Sequence, residues 1–141
     1  MKKLKDILYK AGLVEVIGST DISVSSVCFD SRKAEKGGLF VAMKGEQSNG
    51  HEFIQQVITA GVTSIVCEVL PISKEANVTY IKVKDSNAAL GIIASNFFDN
   101  PSEKLKLVGI TGTNGKTTTA TLLYNLFSSL GYGVGLISTV E

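Results

Sequence analysis

Cysteine and histidine are scarce: two cysteines, Cys28 and Cys67, and one histidine, His51, in 141 residues. Two separated cysteines and a lone histidine are too few ligands to assemble a zinc site within the chain. Both cysteines sit in strand-like apolar runs, where a free thiol behaves as a small buried hydrophobe. No apolar run approaches the roughly eighteen residues that a membrane span needs. The opening stretch, "MKKLKDILYK", is too charged for a signal peptide, and its apolar run is too short. Net charge is almost absent, at +1, with fourteen basic and thirteen acidic residues spread along the chain. No basic stripe interleaved with aromatics occurs, which argues against a nucleic-acid partner. The expectation is a soluble, cytoplasmic protein that works on neither nucleic acid nor membrane.

What is present can fold. Hydrophobic residues make up 44% of the chain and charged residues 19%, enough to bury a core. The length suits one ordinary domain, or a small domain plus part of another. "LKDILYKAGL" places Leu4, Ile7, Leu8 and Ala11 on one helical face, with Gly12 as a stop. "ISVSSVCFD" alternates as a strand does, and "GGLFVAM" predicts another. "GHEFIQQVITAG" carries Phe53, Ile54, Val57 and Ile58 at helical spacing and closes at Gly61. "SIVCEVL", ended by Pro71, and "VTYIKV" predict two further strands. "DSNAALGIIASNFFDNP" predicts a helix capped by Asp85, with Leu90, Ile93, Ala94 and Phe97 on its apolar face and Pro101 beyond its end. "KLKLVGIT" predicts a strand, residues 115–130 a helix, and "GVGLIST" a last strand. Strands alternating with helices indicate an α/β architecture. We expect one α/β domain over residues 1–84 and the incomplete beginning of a second over residues 85–141. Two strands and two apolar-faced helices are too little to bury themselves, so a longer parent protein is expected.

The chemistry concentrates in "GITGTNGKTTTATLL", residues 109–123. Gly109, Gly112 and Gly115 recur every third residue between an apolar strand and a long helix. Glycines let a loop turn tightly and bring its amides up to an anion, and a helix N-terminus adds its dipole. Lys116 then offers a mobile cation to the β/γ-phosphates, and Thr117 a hydroxyl suited to Mg²⁺. The standard phosphate loop, G-x-x-x-x-G-K-[ST], would put glycine at 110, where this chain has Ile110. A glycine-rich turn with a solvated lysine is the plain alternative. It leaves "GKTTT" at a helix start unexplained.

"GITGTNGKTT" resembles the ATP loop of the Mur ligase family, ATP-dependent amide-forming enzymes of peptidoglycan precursor synthesis, whose first glycine stands one place earlier. "DSRKAEKGGLFVAMKGEQSNGHEFIQQVITAGVTSIVCE", residues 30–68, resembles the uridine-nucleotide-binding domain of that family, and "GYGVGLISTVE" the strand after its loop helix. The combination resembles the branch that adds the third peptide residue, meso-diaminopimelate or L-lysine, to UDP-N-acetylmuramoyl-L-alanyl-D-glutamate. The resemblance implies a UDP-substrate-binding N-terminal domain, followed by the opening strand, phosphate loop, helix and strand of an ATP-binding central domain. It assigns Gly112, Thr113, Asn114, Gly115, Lys116, Thr117 and Thr118 to ATP, with Lys116 catalytic and Thr117 the Mg²⁺ ligand. It assigns Phe29, Ser31, Glu46, Gln47 and Ser48 to the UDP-linked substrate. Family members often carry histidine where Glu46 stands, and a carboxylate beside a diphosphate is unfavourable unless it faces uracil or water. The implied reaction phosphorylates the glutamate side chain to an acyl phosphate, which the incoming amine attacks. Further required groups lie downstream in relatives, so the fragment alone is expected to be inactive.

Other readings attach to the same residues. Ser31 could close an Asx-type turn begun by Asp30, Arg32 is read as structural or solvated, and His51 as a surface or capping residue. Lys44 could face a diphosphate or simply water, and Thr119 is a helix residue. A non-catalytic uridine-nucleotide-binding module, a sister ligase, and an unrelated phosphate-loop kinase or GTPase are the alternative functions.

Overall fold

The computed structural model describes residues 1–45 and 48–139, and they divide into two compact units, Met1–Lys104 and Leu105–Glu141. In chain order the first contains β1 (Lys2–Lys3), α1 (Leu4–Ile7), β2 (Leu13–Ile17), β3 (Ser23–Val24), β4 (Val27–Cys28), β5 (Leu39–Val41), α2 (Ile54–Thr59), β6 (Ser64–Cys67), β7 (Thr79–Val83) and α3 (Ser86–Phe97). Its main sheet runs β2-β7-β6-β5-β4. β4 to β7 are parallel, and β2 closes the β7 edge antiparallel.

The central strands β5, β6 and β7 are covered on both faces, which is why they read as short apolar runs, whereas the edge strand β2 is exposed along most of its length. Leu39, Val41, Val66, Ile81 and Val83 point to one side and pack with Leu4, Ile7, Leu8, Ala11, Ala89 and Ile93. Phe40, Ala42, Ile65, Cys67 and Tyr80 point to the other, against Ile54, Val57 and Val62. The period-two alternation of a strand thus supplies two cores, giving the expected α/β fold. Cys28 and Cys67 are buried free thiols on the second side. Burial pushes the Cys67 thiol up to about 11, so it is not a nucleophile.

Some elements differ from their sequence reading. The Leu4, Ile7, Leu8 and Ala11 stripe is buried as expected, but the regular helix stops at Ile7. The chain then reverses into β2 through Lys10 and Gly12, both at positive φ. "ISVSSVCFD" forms two short strands in different sheets, with β3 pairing β1 and β4 pairing β5. At the break, the Ser25 hydroxyl donates to the Lys36 carbonyl at 3.0 Å. The first unit also runs twenty residues past the boundary expected at 84, because α3 packs onto α1. Ala89 and Ile93 enter the α1 core, and the Asn96 side-chain amide donates to the carbonyls of Ile7 and Tyr9 at 2.9 and 2.7 Å.

Asp85 is the N-cap of α3, its carboxylate accepting from the amides of Asn87 and Ala88 at 2.9 and 3.0 Å. Asp85→Ala strands both donors, and an unfolding titration is expected to show a loss of about 1 kcal/mol.

The second unit holds α4 (Lys116–Ser129). It ends in a left-handed Gly131, with Gly131 N–H donating to the Ser128 carbonyl and Tyr132 N–H to the Phe127 carbonyl. The strands expected in "KLKLVGIT" and "GVGLIST" have no ladder partner among the described residues. Leu107 and Ile137 are 91% and 100% exposed. Two strands joined by one helix make no stable sheet without further strands beside them. No helix among the described residues is long and apolar enough to cross a membrane.

Candidate nucleotide-binding sites

In parallel α/β sheets the loops leaving the carboxyl ends of the strands form the sites. Phe29 and Ser31 leave β4 at that edge, and the turn 44–50 leaves the adjacent β5. Phe29 is 59% exposed, an aromatic face open to a ligand. Ser31 begins a 3-10 turn, Ser31–Lys33, whose cap is Asp30. The Asp30 carboxylate accepts from the Arg32 backbone amide at 3.1 Å and from its guanidinium at 2.9 and 2.8 Å. These bonds from Arg32, its side chain first, hold the Asp30 carboxyl down at about 2. The Asx turn forms, but Arg32 closes it, and the half-buried Ser31 hydroxyl is not consumed in doing so.

In the next turn Lys44 and Asn49 form a β-bridge, Gly45 N–H donates to the Ser48 carbonyl at 2.9 Å, and Gly50 N–H to the Met43 carbonyl at 2.7 Å. Ser48 is exposed at this turn, while Glu46 and Gln47 lie outside the described residues.

His51 is the residue whose place the sequence did not reveal. Its Nδ1 lies 2.9 Å from Asn49 Oδ1, and its Nε2 accepts from the amides of Glu68 and Val69 at 3.0 and 3.3 Å. An Nε2 that accepts carries no proton, so the ring is neutral with its hydrogen on Nδ1. Glu68 in turn accepts from the Ser86 amide and hydroxyl at 2.9 and 2.8 Å, bonds that lower its pKa. Burial, opposed by the Glu68 charge and reinforced by Lys44, lowers the His51 pKa. With the folded value depressed below the ordinary 6.5, the unfolded chain takes up a proton first as pH falls. Stability is therefore expected to be full above about pH 6.5 and to decline below it, before the carboxylates titrate. Denaturant midpoints between pH 7.5 and 5 should fall for the parent and stay flatter for His51→Gln.

In the second unit, Gly112 and Gly115 have φ of +149° and +76°, and Gly115 is the left-handed N-cap of α4. The first helical bond runs from Thr119 N–H to the Gly115 carbonyl at 2.9 Å. Lys116, Thr117 and Thr118 thus present amides with no intrahelical acceptor, at the positive end of a fourteen-residue helix. A Cβ at Gly109 or Gly115 would meet nothing within 4 Å, so these positions line open space. Lys116 Nζ folds back on the carbonyls of Gly112 and Thr113 at 2.6 and 3.3 Å. Two of its three donors are thereby used, and one is left for a phosphate oxygen. The loop thus gathers Gly112, Thr113, Asn114, Gly115, Lys116, Thr117 and Thr118 as the sequence ordered them. Among the described residues no three potential metal-ligating carboxylates, cysteines or histidines gather. Mg²⁺ at Thr117 would need phosphate and water for its remaining ligands, a coordination usual for that ion.

A concavity of about 350 Å³, lined by Gly18, Ser23, Gly37, Thr63, Asn77 and Thr79, lies at the opposite edge, where the chain enters β5, β6 and β7. It contains no ionisable side chain and none of the candidate site residues.

Residues 23–98 match the model of the Mur ligase family catalytic domain. The chain belongs to the Mur ligase family. A second Mur ligase model, the middle domain, matches residues 110–141. The chain is 61% identical over 140 residues to the UDP-N-acetylmuramoyl-L-alanyl-D-glutamate–2,6-diaminopimelate ligase of Cytophaga hutchinsonii, covering 99% of this chain and 29% of that ligase. It is 54% identical over 138 residues to the ligase of the same name from Bacteroides fragilis, covering 98% and 28%. Among solved structures, the MurF ligase of Thermotoga maritima in complex with ADP matches with a TM-score of 0.56 and 30% identity, over 75% of this chain and 24% of that one. MurF from Acinetobacter baumannii matches with a TM-score of 0.56 and 32% identity, over 76% and 23%. This Mur ligase chain therefore spans under a third of the length of the relatives it matches.

Proposed function

We propose that the chain supplies the uridine-nucleotide-binding unit and the opening of the ATP-binding unit of a cytoplasmic, ATP-dependent ligase. That ligase adds 2,6-diaminopimelate to UDP-N-acetylmuramoyl-L-alanyl-D-glutamate. The observation that carries this reading is the loop of left-handed glycines and Lys116 at a helix start, in a chain 61% identical to a ligase of that name.

The amides of Lys116, Thr117 and Thr118 and the Lys116 ammonium bind the β- and γ-phosphates of ATP. The Thr117 hydroxyl would hold the accompanying Mg²⁺, which when bound would add positive charge at the phosphate oxygens. Phe29, Ser31 and Ser48, with Glu46 and Gln47, hold the uridine end of the muramoyl dipeptide. Binding both reactants removes much of the entropic cost of their encounter. The glutamate carboxylate attacks the γ-phosphorus, and ADP leaves. The diaminopimelate amine then displaces phosphate and loses a proton, leaving an amide.

The test is phosphate release by the full-length ligase containing this chain. Release should require ATP, the UDP-linked dipeptide and diaminopimelate together, and lysine should substitute poorly. Release indifferent to the dipeptide overturns the ligase reading. In the same assay Ser31→Ala should raise KM for the UDP-linked substrate with little change in kcat, the mark of lost uniform binding.

A further inference from the structure

Three hydrogen bonds converge on the His51 ring, two of them from the backbone amides of Glu68 and Val69 just past the end of β6. Among the described residues, the other hydrogen bonds of the turn 44–50 are local in sequence: Lys44 with Asn49, Gly45 with Ser48, Gly50 with Met43, and the His51 and Glu52 amides with Asn49. Among the described residues, only the His51 ring ties this turn to another strand's end through a side chain. The anchor it reaches is itself held, since Glu68 receives two bonds from Ser86 at the start of α3. We propose that His51 is a positioning residue for the nucleotide. Donating to Asn49 through Nδ1 and accepting from the Glu68–Val69 backbone through Nε2, it fixes Asn49 and Gly50, the described end of the turn that grips the uridine end. This rests on the reading of that turn as the uridine site and adds a residue to it that need not touch the ligand.

The physical content is pre-organisation. A turn already held in its binding shape loses less freedom when the ligand arrives, and the saving appears as affinity. Asparagine at 51 can replace only the Nδ1 side of the bridge, and glutamine only the Nε2 side, so each is expected to break it.

The experiment compares the intact protein with His51→Ala, His51→Asn, His51→Gln, Asn49→Ala and the His51→Ala/Asn49→Ala double variant. UDP is the probe in calorimetry, Mg²⁺-ADP binding is the control for the second unit, and amide exchange reports on Gly45 and Gly50. Each single variant should weaken UDP binding about tenfold, the size of one ordered hydrogen-bonded contact. Exchange at Gly45 and Gly50 should quicken by a similar factor, with Mg²⁺-ADP binding unchanged. The double variant should be no weaker than His51→Ala, because both substitutions cut one tether. Unchanged exchange in His51→Ala overturns the tether and leaves the uridine reading standing. Quickened exchange with unchanged UDP affinity overturns the positioning role. Failure of the parent protein to bind UDP, with exchange still quickened in the variant, overturns the uridine reading and the positioning role with it.

Discussion

Lys116→Ala should lower kcat of the full-length ligase by about 10²- to 10³-fold, the range seen when one preorganised donor is removed from a developing anion. The ammonium is held by the carbonyls of Gly112 and Thr113, so it arrives at the phosphates already placed. Its removal withdraws a charge that matters most as the γ-phosphoryl is transferred, and kcat should fall further than nucleotide affinity. The amides of Lys116, Thr117 and Thr118 remain in the variant, and Mg²⁺-ADP should still bind, several-fold more weakly. Lys116→Arg should not restore activity, because a planar guanidinium cannot occupy the place of a compact ammonium cradled by two carbonyls. Steady-state kinetics with the three substrates, alongside calorimetry with Mg²⁺-ADP, separates the two quantities. A kcat within threefold of the parent would remove Lys116 from the chemistry.

Gly50→Ala is expected to cost about 1–3 kcal/mol, as overpacking of a rigid site does. A Cβ there would stand 2.7 Å from the Met43 carbonyl oxygen, 2.8 Å from the Met43 nitrogen and 3.2 Å from the Ala42 carbonyl carbon. These are backbone atoms. Ala42 is fully buried, and its N–H donates to the Val66 carbonyl at 2.8 Å, so the obstruction has nowhere to retreat. The turn must lift away instead, breaking the Gly50–Met43 bond and displacing Asn49 and His51. The melting temperature should drop by about 4 °C or more, and UDP affinity should fall with it. Gly91→Ala is the matched control. Its Cβ meets nothing within 4 Å on α3, and replacing a mid-helix glycine should stabilise by about 0.5–1 kcal/mol. Equal melting temperatures for the two variants would contradict the steric account.

The geometry of the loop before α4 was legible because it is local. Glycines that must turn, a lysine and a run of threonines at a helix start are neighbours in the chain and neighbours in space. The same holds for Asp85, which caps amides two and three residues ahead of it, and for the short apolar strands buried on both faces. The bridge made by His51 was not legible, since its partners at Glu68 and Val69 are seventeen and eighteen residues away. Its one sequence signal was a position two after Asn49, at a helix start.

Residue order thus sufficed wherever a structure closes on itself within a few positions: caps, glycine turns, the α4 start and the two-sided apolar strands. Where pairing needs a distant partner, order was silent. The division of "ISVSSVCFD" between two sheets, the attachment of α3 to the first unit and the bridge made by His51 all depend on contacts between segments far apart in the chain. The free energy of a strand or tether lies in what it meets across space, and the chain's local pattern carries no record of that.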